Sequence, residues 1–199
     1  MNTLNIKNAV LMKQARESLA GKWGLAVGTF AVYLLIIAVV SSLRGYGSIV
    51  SLVISGPFAF GIASFALAIS RNKEARLEQL FEGFKRFGRS LATNLLMILF
   101  ILLWALLLIV PGIIAAISYS QTFFILADDE TIGARDAIKK SKKMMYGYKW
   151  KYFCLGLRFI GWGLLSILTL GIGFLWLFPY VQVSMAKFHD AIKGSNKEE

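Results

Sequence analysis

Residues 90–127 read SLATNLLMILFILLWALLLIVPGIIAAISYSQTFFILA, 38 consecutive positions without a charge, bounded by Arg89 and Asp128. A straight helix of that length would measure about 57 Å at 1.5 Å per residue. The hydrocarbon core of a bilayer is about 30 Å thick and takes roughly 20 helical residues. The run is therefore too long for one crossing and suits two. Pro111-Gly112 sits near its middle, and proline removes a backbone donor while glycine accepts unusual dihedrals. The expected turn is there.

Three other charge-free runs extend the reading. They cover 21 residues between Lys22 and Arg44, 26 between Arg44 and Arg71, and 28 between Arg158 and Lys187. The last, taken back to Tyr152, fits two short spans turning at Leu170-Gly171-Ile172-Gly173. The expectation is an all-α polytopic membrane protein of six transmembrane helices, near 23–42, 48–69, 91–109, 112–127, 152–169 and 172–188. They pair as three hairpins. The stretch after Lys22 is long enough to span, so it is read as an uncleaved anchor and not as a signal peptide.

The composition of the 199-residue chain agrees. It is 57% hydrophobic and 17% charged, against about 45–50% and about 25% for soluble domains. The single Cys154 excludes an internal disulfide framework, and the single His189 excludes a multi-histidine metal site. No Walker, Rossmann, zincin or nucleophile-elbow pattern occurs. The expectation is no enzyme, no cofactor, no metal and no catalytic residue.

The net charge of +11 is unevenly placed. Of 22 Lys and Arg residues, 20 fall in the N-terminal segment, the second and fourth connections and the C-terminal tail. Arg44 alone lies on the other side, and Arg158 lies inside the fifth span. Basic connections stay cytoplasmic, so the chain is placed as a multipass protein of the cell (plasma) membrane with both termini inside. This distribution accounts for the positive charge without nucleic acid as a partner.

An internal repeat is legible. Gly21, Gly83 and Gly147 each precede an apolar run, 62 and 64 residues apart. The units are 1–70, 71–130 and 131–190, with a tail at 191–199, all within one membrane domain. Each begins with apolar residues at helical spacing: Leu4, Leu11, Met12, Ala15 and Leu19, then Leu77, Leu80, Phe81 and Phe84, then Ala134, Ala137, Ile138, Ser141, Met144, Met145 and Tyr148. With basic residues on the other face, each is expected to be an amphipathic interfacial helix.

Candidate sites follow from cost. Arg158 inside a span is expensive. Its long side chain either snorkels to the cytoplasmic interface or meets a partner or anionic ligand. Lys139, Lys140, Lys142 and Lys143 form a basic collar suited to anionic lipid, at about 1 kcal/mol per residue near the surface. Tyr119, Gln121 and Gln182 either line a polar path or hydrogen-bond between helices. Asp128-Asp129-Glu130 and Thr131 are read as the cap of the third amphipathic helix, and His189 as a solvated interfacial residue. Gly24 and Gly28 form a GxxxG pair that lets a helix approach closely.

Several strings resemble the domain of unknown function 975 family of bacterial multipass membrane proteins. They are Leu107-Leu108-Ile109-Val110-Pro111-Gly112, Phe124-Ile125-Leu126-Ala127-Asp128-Asp129, Ser141-Lys142-Lys143-Met144-Met145-Tyr146-Gly147-Tyr148-Lys149-Trp150 and Leu168-Thr169-Leu170-Gly171-Ile172-Gly173. More distantly the pattern is similar to the membrane domain attached to some glycerophosphodiester phosphodiesterases. The resemblance implies a fold and a bacterial plasma membrane, and no catalytic residue. The expected function is a non-enzymatic protein that binds lipid or a membrane partner. The rivals are a small transporter or channel, and protection against membrane-active peptides.

Overall fold

Long charge-free runs become long helices in the computed structural model, which describes residues 7–43 and 46–195. Leu4, Arg44 and Lys197 lie outside the described residues. Among the described residues all regular structure is helical. The helices are α1 (Asn8–Leu19), α2 (Trp23–Ser41), α3 (Gly47–Ser70), α4 (Glu82–Lys85), α5 (Phe87–Leu107), α6 (Ile109–Tyr119), α7 (Thr122–Asp128), α8 (Ala134–Met144), α9 (Lys149–Leu168) and α10 (Phe174–Ser195), with a 3-10 helix at Leu77–Phe81.

Five segments are long and apolar enough to cross a membrane: Trp23–Ser41, Gly47–Ser70, Phe87–Leu107, Ile109–Asp128 and Lys149–Leu168. The chain is thus a helical membrane protein. α10 is also long, but only residues 174–186 of it are free of charge. The sixth expected span is the one that does not reach the apolarity of the others.

The second hairpin turns earlier than expected. Leu108 is extended (φ −161°, ψ 146°) and breaks the helix, and Pro111 lies in the first turn of α6. Proline is at home there because the first N–H groups of a helix have no internal acceptor. Gly112 serves a different need: a Cβ at that position would sit 2.8 Å from the Ala105 side chain, so α5 and α6 touch there.

Burial is concentrated at one end. The core joins Leu11, Ala15 and Leu19 of α1, residues 60–69 of α3, Phe124–Leu126 of α7, Met144-Met145 and the stretch from Tyr180 to Ile192 of α10. All the basic connections lie at this end. The far halves of the helices are the reverse: Leu35, Leu52, Leu102, Leu106, Ile109 and Leu164 are exposed. A bare apolar surface of that extent marks an interaction with something apolar, and a lipid-facing surface satisfies it.

The amphipathic segments turn their apolar faces into the protein. The apolar face of α1 is buried against α3, α9 and α10, and that of α8 (Ala137, Ile138, Ser141, Met144) against α5, α6 and α7. Both faces are consumed by the protein's own core. The middle segment is not one helix but a 3-10 turn followed by the short α4, wedged against α3. The first and third units still share a joint. Gly21 (φ 75°) and Gly147 (φ 81°) turn the chain in the left-handed region before α2 and α9, whereas Gly83 is helical.

Close helix approach is also displaced from its expected position. A Cβ on Gly24 or Gly28 would meet nothing within 4 Å, so the GxxxG pair holds no close neighbour among the described residues. Gly28→Ala is therefore expected to change stability by less than about 0.5 kcal/mol, or to raise it slightly, because alanine is the better helix former. A loss above about 2 kcal/mol in detergent unfolding would show a packing partner at that face.

Candidate functional site: an ion-paired hub and a basic groove

At the core end, α3 stops where Arg71 caps it, and its guanidinium faces two carboxylates. Nη1 and Nη2 donate to Asp128 at 2.6 and 2.9 Å, and Nη2 and Nε donate to Asp190 at 2.6 and 3.1 Å. Lys193 pairs with the same Asp128 carboxylate, and His189 Nε2 lies 3.3 Å from it. Ser70 donates to Asp190 at 3.1 Å, and Lys187 donates to the Ser70 carbonyl. The hub ties the ends of α3, α7 and α10 together. The Asp128 hydrogen bonds, opposed by burial and helped by Asp190, hold the Arg71 guanidinium above its ordinary pKa.

Two readings from the sequence are corrected here. His189 is not solvated: it is 1% exposed and stacks on Phe124 with ring centroids 5.5 Å apart. Asp128 is not a cap of α8 but the centre of the hub. The N-cap of α8 is Gly133, without a side-chain cap bond. Asp129 instead accepts from the Thr131 backbone at 3.0 Å and from its hydroxyl at 2.7 Å, which closes a local turn and lowers the Asp129 pKa. Glu130 pairs with Arg86. The signal for the hub was present in sequence: Lys187, Asp190 and Lys193 recur every three residues, which puts them on one helix face.

A groove of about 300 Å³ opens on the flank of α6. Trp104, Pro111 and Ile114 form its apolar wall, Tyr119 lies along it, and Lys142 and Lys149 also line it. Ser141 donates to the Ser118 carbonyl at 2.8 Å, and this bond seats the end of α8 against α6 and brings Lys142 to the groove. Neither lysine forms an ion pair among the described residues. A larger groove of about 440 Å³ runs between α1, α2, α9 and α10 past Trp23, Trp162 and Trp176. Its one cation, Arg16, rests 5.7 Å over the Tyr180 ring.

The remaining candidates fall in separate places. Lys139, Lys140 and Lys143 are exposed on α8 and line neither groove. Arg158 is exposed on α9 with no hydrogen bond or ion pair to another described residue. Gln121 is fully buried where α6 breaks into α7; its Nε2 donates to Ser120 at 3.1 Å, and its Oε1 has no partner among the described residues. Gln182 is half-buried on α10. The structure thus brings Tyr119 together with Lys142, and leaves Gln121 and Gln182 apart from both grooves. Other polar contacts join elements across the bundle, among them Asn94 donating to Ser55 at 2.7 Å and Ser64 donating to Glu82 at 2.5 Å. No group of His, Cys, Asp and Glu suited to a metal occurs among the described residues.

Comparison with protein families gives two overlapping matches, over residues 6–118 and 105–196, to one model described as "Protein of unknown function (DUF975)". The chain belongs to the DUF975 family. Together the matches span nearly the whole chain, so hub and groove both lie within the family's own domain. No curated protein and no solved structure matches this DUF975 chain.

Proposed function

We propose that this chain is a non-enzymatic protein of the cell membrane that holds an anionic lipid in the α6 groove. The observation that carries the reading is the pair Lys142 and Lys149 beside an apolar wall of Trp104, Pro111 and Ile114. An anionic headgroup suits the two ammonium groups. A chain of methylenes suits the wall. Pockets of this kind use a few placed polar groups to orient an apolar ligand.

Orientation belongs to the same proposal. The termini and the connections at 71–86 and 129–148 face the cytoplasm, because basic segments are retained there. All three hairpins enter the bilayer from that side. The anionic leaflet then meets the end that bears Lys142 and Lys149, which concentrates the ligand where the groove receives it.

Lys142→Gln/Lys149→Gln tests the groove by native mass spectrometry after reconstitution in nanodiscs containing phosphatidylglycerol and phosphatidylcholine. Each lysine is worth about 1 kcal/mol, or roughly fivefold. The double variant should retain phosphatidylglycerol at least tenfold less than the wild type. Lys139→Gln/Lys140→Gln, away from the groove, should change retention little. Equal losses in both variants would reduce the effect to overall charge and remove the groove's role.

A further inference from the structure

We infer that the third hairpin, α9 and α10, does not cross the bilayer but turns inside its hydrocarbon. The inference rests on the orientation proposed above. Three observations on different residues carry it.

The first is reach. Arg158 lies twelve residues before Leu170, so it stands about 18 Å below the turn at helical rise. Lys187 lies fourteen residues after Gly173, about 21 Å below it. Lys187 is tied into the hub through the Ser70 carbonyl, so it belongs to the basic end. The charge-free depth of the hairpin is therefore about 20 Å, against a core of about 30 Å. A turn that emerged on the far side would leave Arg158, exposed and without a partner among the described residues, some 12 Å deep in lipid. A turn that stops short puts its guanidinium at the cytoplasmic headgroups, within easy reach of its own side chain.

The second observation is the surface of the turn. Leu168, Leu170 and Ile172 are 79%, 94% and 60% exposed. Leu170 holds a left-handed conformation (φ 55°), where glycine or asparagine is the usual choice. Leucine there gains nothing from water and suits hydrocarbon. The first hairpin differs: its turn region carries Ser41, Ser42, Arg44, Tyr46 and Ser48.

The third is backbone accounting. Lipid offers no hydrogen-bond partner, so a turn at membrane depth must satisfy its own donors. Leu170 and Gly171 donate to Ile167 and Ser166, which closes α9 in a Schellman arrangement. Ile172 donates to Thr169, and Phe174, Leu175, Trp176 and Leu177 donate to Gly171, Ile172, Gly173 and Gly173. The one N–H left over, Gly173, is taken by the Thr169 hydroxyl at 2.9 Å. Every backbone N–H from Leu170 to Leu177 is thus used within the hairpin.

The test is a nitroxide at Leu170→Cys in a Cys154→Ser background, reconstituted in phosphatidylglycerol–phosphatidylcholine liposomes. Relaxation by oxygen, which partitions into hydrocarbon, is compared with relaxation by a water-soluble nickel chelate. The expected result is strong oxygen and weak nickel relaxation at position 170, with strong nickel relaxation at Tyr46→Cys. Strong nickel relaxation at 170 together with 46, while Leu102→Cys remains oxygen-dominated, would overturn the inference and leave the membrane reading intact. Weak relaxation by both agents at 170 would also overturn it, since the turn would then be covered by protein. Strong nickel relaxation at all three positions would defeat the membrane reading itself.

Discussion

Replacing Arg71 by leucine is expected to cost about 3 kcal/mol of stability, in the range found when one partner of a buried ion pair is removed. Its guanidinium makes two bonds to Asp128, whose side chain is 8% exposed, and further bonds to Asp190. Without it, Asp128 keeps only Lys193 and His189, and Asp190 keeps only the Ser70 hydroxyl among the bonds described. The loss falls where three helix ends meet, so α7 and the end of α10 should loosen together. Arg71→Leu/Asp128→Leu should recover part of the loss, because a leucine pair removes both desolvation costs. Chemical unfolding in detergent reads both effects. A change below about 0.5 kcal/mol in the single variant would mean that the hub does not hold these three helix ends together.

Gly83→Ala is expected to be equally severe. A Cβ there would lie 2.0 Å from the Pro57 carbonyl oxygen, and one on Gly61 would lie 2.0 Å from the Leu80 carbonyl oxygen. Both obstacles are backbone, so no rotamer change relieves them. The 3-10 segment and α4 interlock with α3 through these two glycines. The wedge also seats Phe84 edge-on against Phe58, with ring centroids 5.0 Å apart. Forcing the pieces apart should cost about 3 kcal/mol, the upper part of the range for overpacking. The same single methyl on Gly28 meets open space. A Gly83→Ala protein that unfolds with the Gly28→Ala protein would contradict the interlock.

Five helices were legible because a long charge-free run forms a helix long and apolar enough to cross a membrane. Five of the expected spans have a counterpart within a few residues. The turn of the second hairpin was misplaced because proline was taken as the breaker, while it opens α6 and Leu108 makes the bend. The hub was hidden for a different reason. Arg71, Asp128 and Asp190 are 57 and 62 residues apart in sequence, and only the antiparallel return of each hairpin brings them together. Asp128 and His189 each had a plausible local role, a cap and an interface, and local roles are what a sequence displays. The amphipathic period of α1 and α8 was real, but periodicity reports an apolar face and not what covers it. The glycines show the same limit: GxxxG spacing marked Gly24 and Gly28, whereas the tightest approaches occur at Gly56, Gly61 and Gly83. The basic collar was visible as composition, but only the seating of Ser141 on Ser118 singles out Lys142.

The membrane placement has one direct test. In intact cells, with Cys154→Ser as background, Tyr46→Cys and Lys140→Cys are exposed to a membrane-impermeant maleimide before and after permeabilisation. Labelling at position 46 should be complete from outside, and labelling at position 140 should appear only once the membrane is opened. Labelling at 140 from outside in sealed cells would contradict the placement of the hub and basic groove on the cytoplasmic side.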